Sequence, residues 1–142
     1  MKTLYEATTK ATGGRAGNLE SAEGPLNHKL SVPKSMGGEG GDGTNPEQLF
    51  GAAYAACFGG ALQAVAKNEN IKINEDELSV TAIIGFCKDD DGFCLEATLD
   101  CYIPGVDIKT GEDLVEKAHE MCPFSKATRD NITVTLNLLL DE

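Results

Sequence analysis

The spacing of hydrophobic and polar residues predicts one long central helix. Asn45 supplies a capping side chain, Pro46 suits the first helical position, and a mostly apolar run then continues to about Lys67. Apolar side chains fall on nearly every side of this helix, so we expect it to be buried. The uncharged stretch 49–62 is shorter than the roughly 20 residues that a membrane span requires. A core helix is therefore predicted.

Shorter patterns around this helix predict strands and a second helix. The segment Asp89-Asp90-Asp91-Gly92 is typical of a hairpin turn. The predicted elements are, in chain order, strands over residues 4–11 and 26–32, hairpin strands over 78–87 and 93–103, an amphipathic helix over 112–122 and a half-buried strand over 132–140. This pattern indicates an α+β fold. With 142 residues and no internal repeat, we expect a single domain over residues 1–142.

Composition and charge exclude several classes of partner. The formal net charge of −11 repels phosphate, which argues against nucleic acid and against anionic membranes. The first residues, Met-Lys-Thr-Leu-Tyr-Glu, contain no apolar signal core. The chain has five cysteines, an odd number, and their spacing matches no secreted disulfide scaffold. We therefore expect a cytoplasmic protein, in a compartment where a disulfide is more often catalytic than structural.

One glycine-rich motif has the spacing of a nucleotide site without its chemistry. Gly38-x-Gly40-x-x-Gly43 matches the dinucleotide fingerprint before a helix. No buried strand precedes it, and the carboxylates of Glu39 and Asp42 would repel a pyrophosphate. We therefore interpret this segment as a flexible loop.

Three cysteines around the predicted hairpin do not form a metal site. Cys87, Cys94 and Cys101 are spaced by seven residues, which places successive members on opposite faces of a strand, so they cannot converge as ligands. We predict no bound metal. If the turn centres on Asp90-Asp91, Cys87 and Cys94 face each other across the hairpin. There we expect two free thiols rather than a disulfide.

Cys57 and Cys122 are the candidate reactive residues, because their surroundings differ. Cys57 lies in a small-residue part of the central helix, whereas Cys122 ends the second helical pattern and precedes Pro123. Such a pair is able to form a redox couple that thiol exchange resets. The alternative is that Cys57 is an inert buried residue. Burial raises a thiol pKa, so a reactive Cys57 needs a cation from elsewhere in the chain. A dyad between Cys122 and His119, three residues earlier, is a weaker alternative.

Four sequence blocks together point to one protein family. The blocks are Thr12-Gly-Gly-Arg15-x-Gly17, Gly43-Thr-Asn-Pro-Glu-Gln-Leu-Phe50, Tyr54-Ala-Ala-Cys57-Phe58 and Cys122-Pro-Phe-Ser-Lys-Ala-Thr-Arg129. In this order the chain resembles the organic hydroperoxide resistance (Ohr) branch of the Ohr/OsmC family over essentially its whole length. The resemblance implies an α+β OsmC-like fold in an intertwined homodimer, with central helices wrapped by antiparallel-rich sheets. It also implies a thiol peroxidase without metal, haem or flavin.

The resemblance also implies roles for four site residues. Cys57 would be the peroxidatic cysteine and Cys122 the resolving cysteine. Arg15 would hold the thiolate and polarise the peroxide, and Glu47 would orient Arg15. Cys57 would become a sulfenic acid and then condense with Cys122 to a disulfide. Dihydrolipoyl groups on a carrier protein, or another dithiol, would reduce this disulfide.

The resemblance implies a hydroperoxide substrate, and the apolar ring of side chains that it places around Cys57 suits an alkyl or fatty-acid hydroperoxide better than hydrogen peroxide. Ordinary core packing is the alternative role for these side chains. An OsmC-type peroxidase of broader substrate range and a non-enzymatic thiol redox sensor are the alternative functions. The predicted substrate-binding residues are Phe50, Tyr54, Phe58 and Phe124.

The separation of Glu47 from Cys57 predicts a site shared between two chains. Ten residues on one straight helix rise by ~15 Å, whereas an ion pair or hydrogen bond needs about 4 Å or less. We therefore expect Glu47 of one chain to serve Cys57 of the other, with two antiparallel helices crossing near Ala52. A sharp break in the helix is the competing explanation.

Overall fold

The computed structural model describes all 142 residues of the chain. The chain forms two compact units. The first unit covers Met1–Leu49 and the second covers Phe50–Glu142. The boundary falls inside helix α1, which runs over Pro46–Asn68. The single domain over residues 1–142 stays a prediction.

The first unit contains a small antiparallel sheet in the order β1-β2-β3. Its strands are β1 (Thr9–Thr12), β2 (Asn18–Ser21) and β3 (Asn27–Lys29). The strands predicted over 4–11 and 26–32 are therefore shorter than expected, and the prediction missed β2. The reason is local, because Leu19 is the only buried residue of β2. One apolar residue gives no alternation to detect, although the strand pairs on both sides.

Residues 37–43 form a loop, as predicted, and its backbone is hydrogen-bonded. A 3-10 turn over Lys34–Met36 precedes it, not a buried strand. The amide of Gly40 donates to the carbonyl of Val32 at 2.9 Å. A Cβ atom at Gly38 would lie 2.3 Å from that same carbonyl oxygen. The glycine at this position therefore permits a close approach of two chain segments.

Helix α1 begins where the sequence predicts. The backbone amide of Gln48 donates to Oδ1 of Asn45 at 2.8 Å, which confirms Asn45 as the N-cap. The helix continues without interruption to Asn68, so no sharp break separates Glu47 from Cys57. By length and composition α1 is able to cross a membrane, but the core helix of a soluble protein meets the same criteria.

The expectation that α1 is buried on nearly every side is wrong for the single chain. The buried residues of α1 recur every three or four positions, so they lie on one side of the helix. The buried residues on this side are Gly51, Tyr54, Phe58, Ala61, Leu62, Val65 and Ala66. A second face of small residues is exposed, and it comprises Ala52, Ala53, Ala56 and Gly60. Apolar helix surface is thus left without a partner in the chain.

The second unit contains a three-stranded sheet in the order β4-β5-β6. The hairpin strands β4 (Ser79–Asp89) and β5 (Gly92–Tyr102) pair antiparallel, and β6 (Thr133–Leu139) pairs parallel to β5. Asp89 pairs with Gly92, so the turn centres on Asp90-Asp91 as predicted. The hairpin and the half-buried final strand are confirmed.

Two helices connect β5 to β6, and one of them was not predicted. Helix α2 covers Ile108–Met121 and starts earlier than expected, because Asp107 caps it by accepting from the Thr110 amide at 2.7 Å. Helix α3 covers Pro123–Thr128 and begins with a proline at its first position. Cys122 ends α2 and immediately precedes α3, which places this thiol at a sharp corner of the chain.

The core of the second unit lies between its sheet and its helices. Side chains from α1, β5 and α2 meet there, including Phe58, Leu99 and Leu114, all fully buried. Burial of such large apolar side chains is the main stabilising contribution in a unit of this size. Cys122 is also fully buried in this core, and Cys57 packs against it.

Candidate active site

The two candidate thiols face each other in the second unit. Sγ of Cys122 lies 3.5 Å from Sγ of Cys57, and both are free thiols. Cys57 comes from the middle of α1, and Cys122 comes from the corner between α2 and α3, with φ −63° and ψ 124°. A disulfide bond measures about 2.05 Å, so a small shift would bring the two sulfur atoms to bonding distance once one of them has been oxidised.

The pKa of the Cys57 thiol is raised from its ordinary value. Burial is the largest cause, and the hydrogen bond shared with the Cys122 thiol adds to it. The backbone N–H of Phe124 acts in the opposite sense, because it stabilises a thiolate. In this environment the neutral thiol is favoured, so a nucleophilic Cys57 requires an additional cation.

Arg15 and Glu47 form a two-pronged ion pair within the first unit. Nη1 of Arg15 donates to Oε2 of Glu47 at 3.0 Å, and Nη2 donates to Oε1 at 2.8 Å. The Arg15 side chain is 39% exposed and the Glu47 side chain 14% exposed. The planar guanidinium fork matches the carboxylate, which fixes the orientation of Arg15.

A glycine-rich turn places Arg15 in this position. Residues Gly14–Ala16 form a 3-10 turn between β1 and β2. A Cβ atom at Gly17 would lie 1.7 Å from the carbonyl oxygen of Thr12. Only glycine therefore permits the chain to close the turn that projects Arg15.

The ion pair changes the pKa of both partners. The hydrogen bond from Arg15 is the main reason that the pKa of Glu47 is lowered. The same hydrogen bond raises the pKa of Arg15. Glu47 is therefore a carboxylate, and Arg15 a guanidinium cation, at neutral pH.

The four predicted substrate-binding aromatics form one cluster centred on Tyr54. Its ring contacts Phe50 at 5.9 Å, Phe124 at 6.0 Å and Phe58 at 6.4 Å between ring centroids. Tyr54 and Phe58 are fully buried, whereas Phe50 and Phe124 are partly exposed. Their substrate-binding role stays a prediction, and the exposed edges of Phe50 and Phe124 are the accessible part of the cluster.

His119 does not form the dyad considered for Cys122. Its Nδ1 atom lies 2.8 Å from Oγ of Ser125, so this ring nitrogen is engaged with a hydroxyl group instead. Oγ of Ser125 also lies 2.8 Å from the hydroxyl of Tyr54. Sequence reasoning missed Ser125, although its place three residues after Cys122 put it within one helical turn of that cysteine.

The remaining cysteines occupy two faces of the second sheet. Cys101 is fully buried on the core face. Burial, together with Asp100, raises the pKa of Cys101 to about 12. Cys87 and Cys94 pair directly across the hairpin, as predicted, and both are free and partly exposed. Their face of the sheet points away from Cys101, because neighbouring strand residues alternate between faces.

Comparison with known proteins places the chain in a family. The family model described as OsmC-like protein matches residues 38–137. The organic hydroperoxide resistance protein of Xanthomonas axonopodis pv. citri is 49% identical over 137 residues, which are 96% of this chain and 96% of that protein. The chain belongs to the Ohr branch of the Ohr/OsmC family.

Further relatives agree with this assignment to the Ohr branch. The organic hydroperoxide resistance protein OhrB of Bacillus subtilis is 45% identical over 95% of this chain and 98% of its own. A crystal structure of an organic hydroperoxide resistance protein from Elizabethkingia anophelis has a TM-score of 0.90 and 47% identity, covering 97% of this chain and 98% of that one. The predicted family and the α+β OsmC-like fold are confirmed.

Proposed function

We propose that this Ohr-family chain is a thiol-dependent peroxidase that reduces alkyl or fatty-acid hydroperoxides to alcohols. The observation that carries the proposal is the 3.5 Å approach of Cys122 to Cys57 between free thiols. Its relatives are named organic hydroperoxide resistance proteins, which supports a role in resistance to such compounds. The chemistry belongs to the cysteines, with no metal, haem or flavin required.

The reaction begins at Cys57. Its thiolate attacks the distal oxygen of the hydroperoxide, the O–O bond breaks, and the departing alkoxide takes up a proton to become an alcohol. Cys57 is thereby oxidised to a sulfenic acid. The thiol of Cys122 then attacks the sulfur of Cys57, and water leaves as the disulfide forms. The short separation of the two sulfur atoms supports this second step.

Arg15 is the cation that activates Cys57 in this proposal. The raised pKa of Cys57 calls for a positive charge beside the sulfur. Arg15 lies in a glycine turn, and Glu47 fixes its guanidinium fork with two hydrogen bonds. A guanidinium oriented in this way is able to stabilise the thiolate and to donate to the peroxide.

We further propose that the protein is a homodimer in which Arg15 and Glu47 of one chain serve Cys57 of the other. The continuous helix α1 supports this arrangement, since no break brings its first turn toward Cys57. The exposed face of Ala52, Ala53 and Ala56 supports a close antiparallel contact between two copies of α1. Mixed dimers provide the test. Glu47→Ala chains paired with Cys57→Ser chains should retain one intact site, and complete loss of activity would contradict the exchange.

The apolar cluster supports a preference for organic hydroperoxides over hydrogen peroxide. Phe50 and Phe124 present partly exposed rings at the edge of the buried core. An alkyl or acyl chain buries apolar surface against them, whereas hydrogen peroxide has no apolar surface to bury. The disulfide is reset by dihydrolipoyl groups on a carrier protein or by another dithiol, in the cytoplasm.

Steady-state turnover with cumene hydroperoxide and dihydrolipoamide tests the proposed function. Cys57→Ser should abolish turnover, and Cys122→Ser should reduce roughly one equivalent of hydroperoxide and then stop. Cys87→Ser is the matched control, because Cys87 lies on the outer face of the hairpin, and it should turn over normally. Normal turnover of Cys122→Ser would show that Cys122 does not resolve the sulfenic acid. If Cys57 and Cys122 were oxidised only in the presence of a protein partner, the result would instead indicate a redox sensor.

A further inference from the structure

A chain of buried hydroxyl groups links the two segments that carry the thiols. Oγ of Ser125 lies 2.8 Å from the hydroxyl of Tyr54 and 2.8 Å from Nδ1 of His119. The Tyr54 hydroxyl also lies 3.1 Å from Oγ1 of Thr128. We call His119, Ser125, Tyr54 and Thr128 the hydroxyl chain. Tyr54 and Ser125 are completely buried, and Thr128 is 5% exposed.

The members of the hydroxyl chain flank both cysteines at regular distances along the sequence. Tyr54 is three residues before Cys57 on α1. His119 and Ser125 lie three residues before and three residues after Cys122. On a helix, three residues are almost one turn. The bond between Tyr54 and Ser125 therefore ties α1 to the α2–α3 corner next to the thiol pair.

The direction of each hydrogen bond in the hydroxyl chain follows from counting the protons that its members are able to donate. A hydroxyl group carries one proton to donate. Thr128 donates its proton to the carbonyl oxygen of Ser125 at 3.1 Å, so its oxygen accepts from Tyr54. Tyr54 has then used its proton and accepts from Ser125.

Ser125 has consequently used its own proton and must accept one from His119. The His119 ring therefore donates through Nδ1–H, which fixes its tautomer when it is neutral. No buried side-chain nitrogen or oxygen atom in the structure is left without a partner. Removal of one of these hydrogen bonds leaves a buried hydroxyl group without a partner. The α2–α3 corner is then held less firmly and is free to shift.

We propose that Ser125, held by His119 and Tyr54, is a positioning residue that sets the approach of Cys122 to oxidised Cys57. The inference rests on the proposed peroxidase function. Disulfide closure demands a narrow geometry, with a dihedral angle about the S–S bond near ±90°. The attack of Cys57 on the hydroperoxide makes no such demand on the position of Cys122. The hydroxyl chain therefore acts on closure and not on peroxide reduction.

A single-turnover experiment separates these two steps. Reduced protein is mixed with one equivalent of cumene hydroperoxide, and both alcohol release and loss of the dimedone-reactive sulfenic acid are followed. In Ser125→Ala, alcohol release should keep its wild-type rate, whereas closure should slow by about tenfold, equivalent to ~1.4 kcal/mol. Unchanged closure in the folded variant would overturn the proposal.

The His119 position gives an independent test at a partly exposed site. The side-chain amide of Asn is able to replace the Nδ1–H donor, whereas Leu has no donor. Closure should be near wild type in His119→Asn and slow in His119→Leu. Equal closure rates in these two variants would overturn the proposal even if Ser125→Ala failed to fold. Absence of alcohol release by the wild-type protein would instead refute the proposed function.

Discussion

Replacement of Arg15 tests its proposed catalytic role apart from its structural contribution. The guanidinium makes two hydrogen bonds to Glu47, at 3.0 and 2.8 Å. Arg15→Ala removes both bonds and the charge. Arg15→Lys keeps the charge but replaces the planar fork with a single ammonium group, which is unable to reproduce both bonds and also reach a peroxide.

The expected loss of stability is small. Arg15 is 39% exposed, so solvent screens the pair, and an ion pair of this kind contributes about 0.5–1 kcal/mol. The pKa of Glu47 is lowered from its ordinary value of 4.5. This contribution is therefore complete above that value and is lost as the pH falls through the lower pKa of the folded protein. Urea unfolding at neutral pH and in acid measures it.

The expected loss of reactivity is much larger. A neighbouring cation lowers a pKa by about 1–3 units, and each unit changes the thiolate fraction roughly tenfold at neutral pH. Cys57 in Arg15→Ala should therefore be alkylated at least about tenfold more slowly. Arg15→Lys should recover part of the alkylation rate but little peroxidase activity.

The control for these variants is Lys29→Ala, which removes an exposed ion pair to Asp42 with a separation of 3.9 Å. This variant should change neither the alkylation rate nor peroxidase activity. The reasoning is refuted if the pH–rate profile for alkylation of Cys57 is the same in Arg15→Ala and in the wild-type protein. It is also refuted if the loss of activity only follows the loss of folded protein.

Three further outcomes follow from the remaining cysteines and from α1. Mild oxidation by diamide should form a disulfide between Cys87 and Cys94, because residues paired across a hairpin place their Cα atoms about 4.5–5.5 Å apart. Peptide mapping that found both cysteines still as free thiols would contradict this. Cys101, with its pKa raised to about 12, should resist iodoacetamide at neutral pH in the native protein and react after unfolding; rapid native labelling would contradict the burial. Ala53→Glu should elute as a monomer in size-exclusion chromatography, whereas Ala53→Ser should stay dimeric. Equal elution volumes of the two variants would show that α1 does not lie at the dimer interface.

Elements with strong local signals were predictable from the sequence. The Asn45 cap and the Asp89–Gly92 turn depend on neighbours in the chain, so the start of α1 and the register that pairs Cys87 with Cys94 are confirmed. Strand β2 depends on pairing with distant segments and has one buried residue, so its sequence carries no pattern. Helix α3 was missed because Pro123 suggested only the end of a helix, although proline also suits the first position of the next one.

The candidate site was predictable in part, because family blocks mark its residues but not all of its contacts. The blocks singled out Arg15, Glu47, Cys57 and Cys122, and the structure places them in two close pairs. The bond between Tyr54 and Ser125 joins residues 71 positions apart. Neither residue has a charge or a spacing that indicates the other, so only the folded chain shows the contact.

The most direct test of the central claim is the fate of the two thiols after one equivalent of organic hydroperoxide. Mass spectrometry of the whole protein and of its peptides follows the sulfur atoms, while chromatography measures the alcohol. We predict one alcohol per hydroperoxide, loss of two hydrogen atoms from the protein, and one disulfide that joins Cys57 to Cys122. Alcohol formation with both thiols still reduced, in the absence of any added reductant, or a disulfide confined to the other three cysteines, would contradict the account.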